Sequence, residues 1–202
     1  MSKSALSSAF RMPTPVKITG RTSSITNSFV NGVIPAIMPS NEEIALALEV
    51  LGMDASGVRC AYCGDPATEW DHLNAIVRRK RPTGYISEIH NLVPACGKCN
   101  QSKGNKPWRE WMFGPSPLSP ASRGVGDIED RAERLADYER KFPPVRIDLE
   151  TSVDEDLWSA YWGAHRRLVE EMRRCEELAA AVREEISSRV ELLRDGRIDS
   201  GH

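Results

Sequence analysis

A chain of 202 residues can hold one ordinary core with extensions, or two small domains. Its net charge of -2 conceals an uneven distribution: the segment 72–110 carries eight Lys/Arg against two Glu, so one compact stretch is basic while the remainder is acidic. No run approaches the roughly 18 apolar residues of a membrane span, and the start lacks a charged leader followed by an apolar stretch; a soluble, cytoplasmic protein without membrane contact is expected.

In chain order, residues 1–26, rich in Ser and Thr and holding Pro13 and Pro15, read as a flexible arm. Phe29 to Met38 is apolar but interrupted by Gly32 and Pro35, and reads as an extended segment. Ser40 followed by Glu43 is a capping box opening a helix that runs to Leu51 and stops at Gly52. Residues 27–114 then form one module that holds the chemistry, and 115–126, with its PSPLSP run, reads as a linker. Residues 127–202 read as helical. A charged helix ends at Pro143-Pro144, and a long helix begins near Asp154. The long helix carries an apolar stripe from Leu157 through Leu168, Met172, Val182 and Ile186 to Leu193, close to a heptad. A helical hairpin or coiled coil follows, and with it a homodimer through this helix. Cys175 on the stripe reads as a packed thiol.

The strongest signal is two matched pairs, Cys60-x2-Cys63 and Cys96-x2-Cys99. Each pair offers two sulfurs from one short turn, and zinc takes four tetrahedral ligands. Four thiolates fill that sphere, so the zinc is structural and its binding contributes to folding. Gly64 and Gly97, directly after a cysteine in each pair, are expected to supply the positive φ of a tight thiolate turn.

Between the pairs stands Asp71-His72, after the β-prone Thr68-Glu69-Trp70. Adjacent side chains on a strand diverge, so one can hold a cation while its neighbour stays off it. A carboxylate is a hard ligand for Mg²⁺, and neutral imidazole is the usual base near pH 7. Asn91 and Asn100 complete a set suited to cutting a phosphodiester. Arg78-Arg79-Lys80-Arg81, with Lys103 and Lys106, are the candidate phosphate contacts. Trp108 and Trp111 read as packing on the module's own core, and His90 as structural. His165 and His202 carry no assigned role.

The block from Cys60 to about Trp108 resembles the HNH endonucleases, in a variant with asparagine at the last position and four zinc-binding cysteines. The resemblance implies an α+β fold: a small ββα-metal core with a four-cysteine zinc site, flanked by the N-terminal helix and the long C-terminal helices. It implies that His72 is the general base, that Asp71 and Asn100 hold a catalytic Mg²⁺ or Mn²⁺, and that Asn91 supports the loop and orients His72. It implies DNA as substrate, expected to be double-stranded, with 5′-phosphate and 3′-hydroxyl products; mobile-element, phage and repair settings are compatible, and the chain's compactness leans towards restriction or phage defence. The alternatives are a zinc-ribbon module that binds DNA without cutting it, and a coiled-coil interaction protein.

Overall fold

The computed structural model describes residues 12–196. The early part of the expected arm and His202 lie outside them. The chain divides into Thr26–Trp158 and a second unit, Met1–Ile25 with Ser159–His202. The architecture is α+β, as expected.

The first unit is built on a short antiparallel pair. Strand β1, Glu69–His72, lies against β4, Leu92–Ala95, with Asp71 opposite Val93 and His72 opposite Leu92. Between them runs a small hairpin, β2 (Val77–Arg78) with β3 (Arg81–Pro82). Helix α3, Gly97–Lys103, follows β4 at once, so β1, β4 and α3 form the ββα core. Helix α4, Trp108–Phe113, turns back over it and buries Trp108, Trp111 and Met112. The core centres on Tyr62, Leu73, Val93, Trp111 and Met112, and the Tyr62 and Trp111 rings meet edge to face at 5.2 Å.

Upstream, helix α1 spans Thr22–Val33 and helix α2 Asn41–Val50. The capping box on α2 is present in full: the Glu43 N–H donates to Ser40 Oγ, and the Ser40 N–H donates to Glu43 Oε2 at 2.7 Å. Helix α1 differs from expectation. The Ser/Thr-rich composition masked an apolar repeat at Ile25, Phe29 and Val33, and Gly32 falls in the last turn, where it does not interrupt the helix. Only the stretch after α1 is extended, and there Ala36 forms a parallel bridge with Ser87.

Helix α5, Ile128–Lys141, belongs by sequence with the C-terminal region, yet it lies inside the first unit. Leu135 and Tyr138 are fully buried in the same core as Tyr62 and Val93, and Phe142 joins them. The Tyr138 hydroxyl lies 2.5 Å from the Ile89 carbonyl and 3.1 Å from that of Leu92, both of which can accept from it, so α5 grips the start of β4.

In the second unit helix α6, Glu155–Arg194, runs 40 residues, about 60 Å at 1.5 Å per residue. Much of its stripe is open: Leu168, Val182 and Ile186 are 41%, 56% and 58% exposed, while Met172 is buried. Thr19 donates its backbone N–H to Glu176 on this helix at 3.1 Å, which ties part of the expected arm. Among the described residues no helix is long and apolar enough to cross a membrane.

Because α5 completes the core, Leu135→Ala in the full chain is expected to cost about 2–5 kcal/mol in urea unfolding. A loss below about 1 kcal/mol would remove α5 from the module's core.

Candidate active site and metal centre

The four-cysteine centre is formed by the turn before β1 and the first turn of α3. All four sulfurs lie within 4.8 Å of one another, and Cys63 Sγ is 3.7 Å from Cys96 Sγ. Four Zn–S bonds of about 2.3 Å give a tetrahedron with edges of about 3.8 Å, so the donor set and spacing fit zinc. The first turn closes through the Cys60 N–H to Asp65 O and the Gly64 N–H to Cys60 O, and the Ala61 N–H to Pro94 O ties it to β4. Gly64 has φ +78 and a Cβ there would collide with the Arg131 guanidinium. Gly97 has no positive φ, contrary to expectation. It opens α3, where a Cβ would come 3.0 Å from Glu69 Oε1. Arg123 brings a compensating cation, 3.8 Å from Cys99 Sγ and 3.3 Å from Asp65.

With the two ends of the ββα core clamped, α3 lies along one face of β1. Glu69 and Asp71 alternate onto that face, and α3 answers them in order. Asn100 Nδ2 donates to Glu69 Oε2 at 2.6 Å, and Lys103, one turn later, places Nζ 3.0 Å from Asp71 Oδ2. Tyr62 donates its hydroxyl to the same Oδ2 at 2.6 Å. Both bonds on Asp71 fall on Oδ2. The Asn100 amide gives its nitrogen to Glu69 and keeps its oxygen. Carboxylate and amide oxygens are the donor types that Mg²⁺ and Mn²⁺ accept.

Lys103 was expected to face a phosphate. It is fully buried instead, donating to the His72 carbonyl at 2.8 Å as well as pairing with Asp71. Burial pushes its ammonium pKa down while the Asp71 carboxylate opposes the shift. Burial raises the Tyr62 phenol, with Asp71 adding to the effect, so the hydroxyl stays a donor. Neither Tyr62 nor Glu69 was singled out by sequence. The Glu69-x-Asp71 alternation was the available signal for the second.

His72 points to the other face, as adjacent strand residues must. Its Nε2 lies 2.8 Å from Ser87 Oγ. Burial pushes the imidazole pKa below its ordinary value of 6.5, against an opposing pull from Asp71. Trp70, two residues earlier on the same face, is 56% exposed. Asn91 is fully buried and staples the loop around the site. Its amide nitrogen donates to the Asn74 and Ile86 carbonyls, and its oxygen accepts the Asn74 N–H.

Beyond His72 the chain borders a cavity of about 800 Å³, flanked by Arg78, Arg79, Arg81, Lys106, Arg109 and Arg146. Arg109 and Arg146 were not singled out by sequence, because they lie outside the four-residue run. Glu139 is the carboxylate on this wall, and its oxygens are taken by Asn74 Nδ2 and Trp108 Nε1. Trp108 and Trp111 are buried, as expected. His90 lies 3.9 Å from Glu43 and its ring meets Phe142, a structural setting.

A family model described as HNH endonuclease matches residues 60–106. Those residues are an HNH domain. The chain is also 47% identical, over 110 residues, to a protein named CRISPR-associated endonuclease Cas9 from Corynebacterium diphtheriae. That match covers 49% of this chain and 10% of the relative, so the chain spans about a tenth of the relative's length. No solved structure matches. The HNH segment contains the four cysteines, Asp71, His72, Asn91 and Asn100. Arg109, Glu139 and Arg146 lie beyond it.

The buried Lys103–Asp71 pair sets an expectation. Lys103→Met leaves Asp71 buried without its cation and is expected to cost about 3–5 kcal/mol in divalent-free buffer. Millimolar Mg²⁺ is expected to raise the melting temperature of this variant more than that of wild type. An equal response in both proteins would dissociate Asp71 from the cation site.

Proposed function

We propose that this protein is a metal-dependent HNH endonuclease that hydrolyses phosphodiester bonds in double-stranded DNA. The observation that carries the reading is the division of labour across β1. Asp71 stands on the face of β1 covered by α3, the helix that carries Asn100, while His72 stands on the opposite face with a lowered pKa. His72 removes a proton from a water molecule, the water oxygen bonds to phosphorus, and the 3′ oxygen departs with its electron pair. A Mg²⁺ or Mn²⁺ ion held by Asp71 and Asn100 supplies charge stabilisation on the phosphate and the leaving oxygen. Asn91 keeps the His72 loop in place, and the four cysteines hold a structural zinc. The setting we assign is restriction or phage defence, in a soluble, cytoplasmic protein. The second reading, a zinc-ribbon module that binds DNA without cutting it, draws on the basic cavity alone.

Supercoiled plasmid separates the two. The wild type is expected to cut with Mg²⁺ or Mn²⁺ and not with EDTA, and His72→Ala is expected to lose at least about 100-fold in rate. Binding without cutting by both proteins would establish the second reading. The neutral imidazole is the active form, so activity rises with pH through the pKa of His72. Because burial lowers that pKa, the acid limb of the single-turnover rate is expected below pH 6.5. A midpoint above 6.5 would contradict the lowering of that pKa by burial.

The hairpin provides a test of DNA contact that does not depend on cutting. Arg79 and Lys80 both have positive φ, +50 and +63, as a two-residue primed turn requires, where Asn-Gly is the favoured pair. Each non-glycine residue in that region is strained by about 1–2 kcal/mol. We read the two cations as retained for phosphate contact. Arg79→Asn with Lys80→Gly is therefore expected to melt higher and to bind duplex DNA more weakly. Its salt dependence should flatten by about 1–2 in log–log slope. Unchanged affinity and slope would exclude the turn from the interface.

A further inference from the structure

His72 has a neighbour to which the HNH resemblance gives no part. Ser87 Oγ lies 2.8 Å from His72 Nε2. We infer that Ser87 is a positioning residue that fixes the ring and tautomer of His72. The inference rests on the reading of His72 as general base.

The argument begins with the ring. A base must present one unprotonated nitrogen to water. With Nε2 engaged by the hydroxyl, Nδ1 is the nitrogen left for that task. Nδ1 is free of a proton in the tautomer whose proton sits on Nε2, and that N–H donates to Ser87 Oγ. When Nδ1 takes the proton from water, the ring becomes imidazolium and Nε2–H still donates to the same oxygen. One hydroxyl acceptor therefore serves both states without moving.

The second part is the over-determined position of residue 87. Its N–H donates to the Pro35 carbonyl at 3.2 Å, and its carbonyl accepts the Ile37 N–H at 2.8 Å. On one side, the Ile86 carbonyl accepts from Asn91 Nδ2 at 3.3 Å. On the other, Glu88 is buried and accepts the Val145 N–H at 2.7 Å, while the Glu88 carbonyl accepts the Asn91 N–H. Two segments distant in sequence, 35–37 and Val145, thus meet 86–88, the second through the Glu88 side chain, and the nearby Asn91 adds a local tie. A surface serine filling space needs none of them. Asn91 ties the two sides together: it bonds to Leu73 and Asn74, which follow His72, and to Ile86, which precedes Ser87.

The test uses the full chain as wild type, Ser87→Ala, Ser87→Thr and His72→Ala, with Mg²⁺ and plasmid or a short duplex. Truncation at Cβ leaves the backbone bonds of residue 87 intact, so zinc content and melting temperature should match wild type. Ser87→Ala is expected to lower kcat on the order of tenfold or more, with KM unchanged. Ser87→Thr should restore most of the rate. In long-range ¹H–¹⁵N spectra, the His72 ring should show the Nε2–H tautomer in wild type and Ser87→Thr, and a tautomer mixture in Ser87→Ala. This ring signature decides the matter if Ser87→Ala melts lower. Wild-type kcat in Ser87→Ala, equal impairment of Ala and Thr, or an unchanged ring spectrum would overturn the inference. His72→Ala separates it from the reading beneath: wild-type cutting by that variant removes both, whereas a silent His72→Ala beside a fully active Ser87→Ala removes Ser87 alone.

Discussion

The four-sulfur centre is the constraint on which the rest depends. β1 and β4 pair over only four residues each, and α3 is seven residues long. Elements this short do not persist alone, since helices of fewer than about 12 residues and isolated strand pairs are marginal in water. Closing Cys60 and Cys63 against Cys96 and Cys99 fixes the start of α3 relative to the entry of β1. Once that is fixed, the register of the helix on the strand follows, and with it the pairing of Asn100 to Glu69 and Lys103 to Asp71. A metal held by these four sulfurs would thereby determine where Asn100 and Lys103 meet Glu69 and Asp71.

The second constraint is electrostatic. Asp71 is 5% exposed, and a carboxylate removed from water must be neutralised or paired. Here the Lys103 ammonium and the Tyr62 hydroxyl compensate it. This pairing explains why a lysine one helical turn past Asn100 is inside the protein.

Much of this was legible in the sequence, for reasons that are local. A C-x2-C pair encodes its own turn, Ser40-x-x-Glu43 its own cap, and Asp71-His72 its own divergence across a strand. What escaped was non-local. The burial of Lys103 depends on Asp71, far away in the sequence, and a lysine after a helix turn normally reads as solvated. The membership of α5 in the core was hidden because its composition is charged, and only Leu135, Tyr138 and Phe142 reveal the buried side. The N-terminal helix was hidden by Ser and Thr, which mask an apolar repeat without abolishing it. Arg109 and Arg146 reach the basic cavity from two different segments, so no run of charge announces them.

These misses share a geometric origin, and it bears on how an HNH domain should be bounded. The residues 60–106 that match the family model contain every group with a proposed chemical role. They contain only part of what holds those groups. The Pro35–Ile37 segment fixes Ser87, Val145 fixes Glu88, and Tyr138 fixes the start of β4. A motif is recognisable because its ligands and reactive groups must be particular residue types at particular spacings. Its supports need only supply a carbonyl, an N–H or an apolar surface, which almost any sequence can provide. Support is therefore invisible to a motif and visible in a fold. The working unit in this chain is for that reason nearer Thr26–Trp158 than the stretch from Cys60 to Lys106. A fragment cut to the motif would retain all the ligands and reactive groups while losing the contacts that aim them.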